Sequence, residues 1–78
     1  MVLRKNRIKD DDLADLGDAL QNSELENLDL SENRDLTKNG IDDLVKKVPS
    51  LKKVQIQGTS ANINDFEPQV QSILAVKY

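Results

Sequence analysis

The chain has 78 residues, a formal charge of −3, no cysteine and no histidine. That length allows a single domain near the lower limit at which a core holds a fold without staples, and the missing cysteines exclude disulfides and thiolate metal sites. Acids and bases read as interleaved, which gives no general electrostatic reason to bind nucleic acid or anionic lipid, and no apolar run approaches a membrane span or a signal h-region. A soluble chain of a reducing, cytoplasmic compartment is expected.

Met1 to Ile8 reads as the end of a strand followed by a turn at Asn6, since Leu3 stands three residues before Asn6 as Leu30 stands three before Asn33. The upstream leucines of that pattern would lie before residue 1. The first strand is therefore expected to present an open edge, whether the chain is cut from a longer array or shortened by nature. Asp10-Asp11-Asp12 then opens a helix carrying Leu13, Leu16 and Leu20 at i, i+3, i+7. Carboxylates in a first turn are favoured by the helix dipole and cap free amides, which accounts for the triplet without a metal.

Leu25, Leu28, Leu30 and Asn33 spell L-x-x-L-x-L-x-x-N, and Leu51, Val54, Ile56 and Thr59 repeat that spacing at a constant shift of 26. Between them, Ile41, Leu44 and Val48 give a second helical face, aligned with Leu13, Leu16 and Leu20 at a shift of 28. Pro49 ends this helix, because it supplies no amide and biases Val48 away from helix. A strand over Leu51–Gln57 follows, then a turn at Gly58–Ala61. Asn62 to Asp65 offers caps for a third helix beginning near Phe66 and carrying Val70, Ile73 and Leu74, with Pro68 in its first turn. Val70 and Leu74 match Leu44 and Val48 at the shift of 26. Phe66 and Ile63 depart from the pattern, as a terminal cap does. Strand, turn and helix within a fixed period are the signature of a solenoid.

The run from Leu28 through Asn33, Leu36-Thr37, Gly40-Ile41, Leu44-Val45 and Val48 to Leu51 resembles a helix-containing leucine-rich repeat of the ribonuclease-inhibitor-like, tropomodulin or F-box-associated kinds. The period and Leu36-Thr37 favour the last, although that class carries cysteines where this chain has Asn33 and Val48. The resemblance implies a short α/β solenoid of order β-α-β-α-β-α, with parallel strands on the concave side and helices on the convex side. Three repeats are expected, at about 1–24, 25–50 and 51–78. It also implies a structural ladder in which Asn6, Asn33 and Thr59 hydrogen-bond the backbone of neighbouring turns.

In that architecture the strand leucines point inward, so the alternating residues point out. Arg4 and Lys5, then Asn27, Asp29, Ser31 and Glu32, then Lys53, Gln55 and Gln57 form a polar face with an acidic column between basic ones. Such a face suits a protein partner recognised through charge placement, making the chain an interaction module or adaptor. A second possibility is self-association through the open first strand, or its docking onto further repeats.

Other chemistries find little purchase. Asp29, Ser31, Asn33, Asp35 and Thr37 alternate like calcium ligands, but Arg34 replaces the turn glycine and Gly40 the bidentate glutamate. No nucleophile motif exists, the glycines are too dispersed for a phosphate loop, and Asp42-Asp43 should face water opposite Ile41 and Leu44. Lys46, Lys47, Lys52 and Lys53 cluster near Pro49, yet Asp42, Asp43 and Glu67 lie near enough to weaken a phosphate-binding field. Neither catalysis, a cofactor, a metal nor a nucleic-acid partner is expected.

Overall fold

Two amphipathic segments and two short apolar ones build the centre of the molecule. The computed structural model describes residues 1–75. Helix α1 spans Asp10–Leu20, strand β1 Asn27–Asp29, helix α2 Lys38–Lys47 and strand β2 Lys53–Gln55. A 3-10 turn at Ile63–Asp65, a short helix α3 at Pro68–Gln71 and strand β3 at Leu74–Ala75 complete it. The three strands form one parallel sheet in the order β1-β2-β3. The fold is thus mixed helix and strand.

The shift of 26 is realised as strand register. Asn27 pairs with Lys53, Leu28 with Val54 and Asp29 with Gln55. Strand alternation then turns Leu28 and Val54 into the core, where they are 2 % and 0 % exposed, and leaves their neighbours on the other face. Leu30, Leu36, Ile56, Leu13, Ile41, Leu44 and Val48 close the same cluster. In α1 the buried line runs through Leu13 and Gly17, while Leu16 and Leu20 are only partly covered.

Both helix starts are tied down. The Asp12 carboxylate accepts from the Lys9 amide at 3.1 Å, the capping role expected of the acidic triplet. Asp10 acts elsewhere: its carboxylate accepts from the Thr37 amide at 2.9 Å and from the Thr37 hydroxyl, so the start of α1 is hydrogen-bonded to the residue preceding α2. Gly40 makes room for it, because a Cβ there would collide with the Asp10 carboxylate.

Two expected elements differ. The first strand is reduced to a bridge between Val2 and Asp29, although Leu3 N donates to Asp29 O at 2.8 Å and Lys5 N to Ser31 O at 3.1 Å. The third helix is one turn long, Asn62 caps the 3-10 turn through Asn64 N instead, and Leu74 pairs with Val54 at a shift of 20 in place of its expected match to Val48. The reason lies in the sheet: Val54 N and Ile56 N would otherwise be unpaired at its edge, and they donate to Ile73 O at 2.7 Å and Ala75 O at 3.0 Å. Leu74 buries at that position as Leu28 and Val54 do. The C-terminal segment therefore extends the sheet, and the expected third helix is cut to Pro68–Gln71, leaving Phe66, Ile73 and Leu74 outside it.

The turns after the strands share one backbone device. Lys5, Glu32 and Gly58, each preceding Asn6, Asn33 or Thr59, have φ of 60°, 64° and 78°. Only Gly58 adopts this left-handed region without steric penalty. An added Cβ there would sit 3.1 Å from both Glu32 Cδ and Glu32 N. Gly58→Ala is expected to destabilise the fold by about 1–3 kcal/mol, combining backbone strain and overpacking, as read by urea denaturation. A neutral result contradicts this turn geometry.

Candidate functional site

The face of the strands turned away from the core is built by alternation and register. One row holds Val2, Asp29, Gln55 and Ala75, set by the Val2–Asp29 bridge and the two strand pairings. Asn27 and Lys53 form the row before it. Arg4, Ser31 and Gln57, two residues further along their segments, continue the face on the other side. Arg4, Asp29, Ser31, Glu32, Gln55 and Gln57 line one shallow depression of about 190 Å³. Val2, Asn27, Asp29, Lys53 and Gln55 line a neighbouring one. Lys5 and Glu32 line a third, with Arg7, Arg34 and Asp35. All nine strand-face residues named from the sequence thus fall on three adjoining hollows that share Asp29, Gln55 and Glu32.

Asp29 organises the centre. Its Oδ1 accepts from the Ser31 amide at 3.0 Å and the Ser31 hydroxyl at 2.5 Å. The Gln55 carboxamide, its nitrogen turned toward Asp29, donates at 3.0 Å to Oδ2 and 3.2 Å to Oδ1. Partial burial by itself raises the Asp29 pKa; the Ser31 hydroxyl and amide, Arg4 and the N-terminal amine outweigh it and hold the carboxyl below its ordinary value. Ser31 is consequently less available than its expected outward position suggests, being only 9 % exposed.

The ladder expected of Asn6, Asn33 and Thr59 is carried by side chain only at its middle rung. Asn33, 0 % exposed, accepts through Oδ1 from Asn6 N at 2.9 Å and Ile8 N at 3.0 Å. Its Nδ2 donates to Leu3 O and Leu30 O, both at 2.9 Å. Asn6 takes part through its backbone amide, and its side chain is exposed. Thr59 closes its own turn by donating to Ile56 O at 2.7 Å, while Ser60 makes the link between turns, donating from N to Leu36 O and from Oγ to Arg34 O. The calcium-like alternation dissolves for the same reason: Asn33 is committed to backbone and Thr37 to Asp10.

The charges are blocked along the chain, contrary to the interleaving expected. Residues 1–9 hold four bases and no acid, and residues 10–33 hold nine acids and no base. Ion pairs tie the acidic stretch to later lysines, Lys47 reaching Asp18 at 3.0 Å and Lys52 reaching Glu26 at 3.4 Å; Lys47 also reaches Asp43 at 3.2 Å, and Lys46 reaches Asp42 at 3.0 Å and Glu67 at 3.5 Å. The Asp42 hydrogen bond and charge, then Glu67, raise the Lys46 pKa; Asp18 and Asp43 do the same for Lys47. Asp42 does not simply face water, since its side chain is 17 % exposed and its Oδ1 is buried without a hydrogen-bond partner. Among the described residues no three acidic side chains group as metal ligands, and no helix is long and apolar enough to cross a membrane.

Val2, Arg7 and Arg34 were not singled out by sequence reasoning. Val2, 73 % exposed, is the large apolar side chain of the open face, and alternation from Arg4 would have found it. No family model, curated protein or solved structure matches the chain.

Because the native Asp29 pKa lies below the ordinary 3.8, its carboxylate contributes stability that is present above that value and lost as pH falls through the native one. The stability difference between wild type and Asp29→Asn, measured by thermal melts, is expected to be largest at neutral pH and to shrink as pH drops below 3.8. A difference that does not vary with pH contradicts this assignment.

Proposed function

We propose that this chain is a non-catalytic protein-interaction module, a short leucine-rich-repeat solenoid of adaptor type that holds a protein partner on the open face of its strands. The observation that carries the reading is the row Val2–Asp29–Gln55 with Arg4 and Lys53 on either side. It is a surface with fixed polar groups, an ionised carboxylate held in place by its neighbours, and the exposed apolar side chain of Val2. The period of 26 realised as strand register, and the buried Asn33 joining successive turns, support the repeat assignment. The absence of histidine and cysteine from the sequence supports a role without covalent or acid–base chemistry.

Electrostatic placement gives such a face selectivity more than tight affinity, because no tryptophan or buried arginine anchors it. Partners captured on the immobilised chain are expected to bind Asp29→Lys/Gln55→Glu at least about tenfold more weakly, since reversing a complementary charge places like charges together. Asp15→Lys on α1 should leave them bound. Retention by the strand-face variant at wild-type affinity defeats the reading.

Self-association along the Met1–Lys5 edge is a second reading, favoured by the exposure of Val2 and by the pairing of Met1 O, Leu3 N and Lys5 N with one side only. Light scattering decides it: a monomer at every concentration rejects an edge-paired assembly.

A further inference from the structure

All three arginines of the chain, Arg4, Arg7 and Arg34, stand with Lys5 around two adjoining hollows at the carboxyl ends of the Met1–Leu3 segment and β1. Among the described residues none of the four forms an ion pair, although Glu32 and Asp35 line the same hollow. The contrast with Lys46, Lys47 and Lys52 is informative, since each of those lies within 3.4 Å of a carboxylate. Guanidinium forks match carboxylate geometry and are weakly hydrated, so unpaired arginines gathered in one place are suited to take carboxylates from outside.

The mounting is rigid. Lys5 and Arg7 have left-handed backbone, with φ of 60° and 54°, and the amides that follow each, Asn6 N and Ile8 N, both donate to Asn33 Oδ1. With Leu3 O also held by Asn33 Nδ2, the segment carrying three of the four bases is clamped to a side chain that is 0 % exposed. A fixed backbone lowers the entropy lost when a ligand is held.

We propose that this rim docks an extended, carboxylate-rich segment of a partner protein, with Arg4, Arg7 and Arg34 receiving its glutamate or aspartate side chains. In the hollow lined by Lys5, Arg7 and Arg34, three bases face two acids, Glu32 and Asp35. A peptide can space its carboxylates and set neutral residues against those acids. A nucleic-acid backbone carries a charge at every step and would meet them, and no exposed aromatic offers a stacking platform among the described residues. Arg4 and Lys5 are shared with the strand face, whereas Arg7 and Arg34 are not, so these two test the rim separately from Asp29→Lys/Gln55→Glu.

The test uses the full chain, nitrogen-15 labelled, titrated at low salt with a short acetylated peptide of alternating glutamate and serine, its glutamine counterpart, and inorganic phosphate. Amide shifts are expected at Asn6, Ile8, Arg34 and Asp35 with the glutamate peptide alone. Arg7→Gln and Arg34→Gln should each weaken it about two- to fivefold, the range of exposed ion pairs, while Lys38→Gln leaves it unchanged. Arg7→Lys, which keeps the charge and loses the fork, should fall between Arg7→Gln and wild type. Melting curves check that each exposed variant folds. Equal binding of the glutamine peptide, unchanged affinity in Arg7→Gln/Arg34→Gln, shifts confined to Asn27, Lys53 and Gln55, or competition by phosphate as effective as the peptide would each overturn the proposal.

Discussion

The structure depends on one buried amide. Asn33 is fully enclosed and bonds on both sides of it: two amides and one carbonyl from the Leu3–Ile8 segment, and the Leu30 carbonyl from its own turn. A buried backbone amide without a partner costs far more than a satisfied one contributes, so this side chain decides where the first segment lies. The left-handed residues at Lys5 and Arg7 follow from it. They cost strain that a free peptide would avoid; at Lys5 and Arg7 it persists because the amides that follow, Asn6 N and Ile8 N, are bonded to Asn33.

Around this clamp, ordinary forces suffice. Aliphatic side chains from α1, α2 and the strands fill one core, with Phe66, Val70 and Leu74 closing its C-terminal side. Charges then favour the observed neighbours. The acidic stretch 10–33 lies between basic ones, and the ion pairs Lys47–Asp18, Lys52–Glu26 and Lys46–Glu67 each join one block to the next. Such exposed pairs add little individually and are screened by salt. Their value is selective, because a slipped register would set like charges side by side.

The same blocking shapes the exposed surface. Where acids and bases meet across turns they neutralise one another, as at Lys46 and Lys47. At the first segment no carboxylate of the described residues reaches the bases, and Arg4, Lys5 and Arg7 remain unpaired among those residues. Asp29, Ser31 and Gln55 meanwhile bond one another, which fixes the polar groups at the centre of the strand face. Both surfaces are thus mainly polar and charged, with Val2 standing clear of the core on the strand face at 73 % exposed.

Periodicity carried the central architecture. The spacing shared by Leu28, Leu30 and Val54, Ile56 is the spacing of paired strands, and Ile41, Leu44 and Val48 are buried on the face that their helical phase required. Those signals are local and repeated, so they can be read without coordinates. The fate of Leu74 could not, because its helical match to Val48 and its strand match to Val54 are both consistent with an apolar run. The unpaired amides of Val54 and Ile56 settled it in favour of the strand. Likewise the composition of the polar face was legible from alternation, whereas the withdrawal of Ser31, the bridging by Ser60 in place of Thr59, and the gathering of three arginines required the chain to close on itself. Sequence by itself determined which side chains must be buried and at what interval; tertiary structure alone decided which hydrogen-bonding groups would be left over, since that depends on which backbone each turn meets.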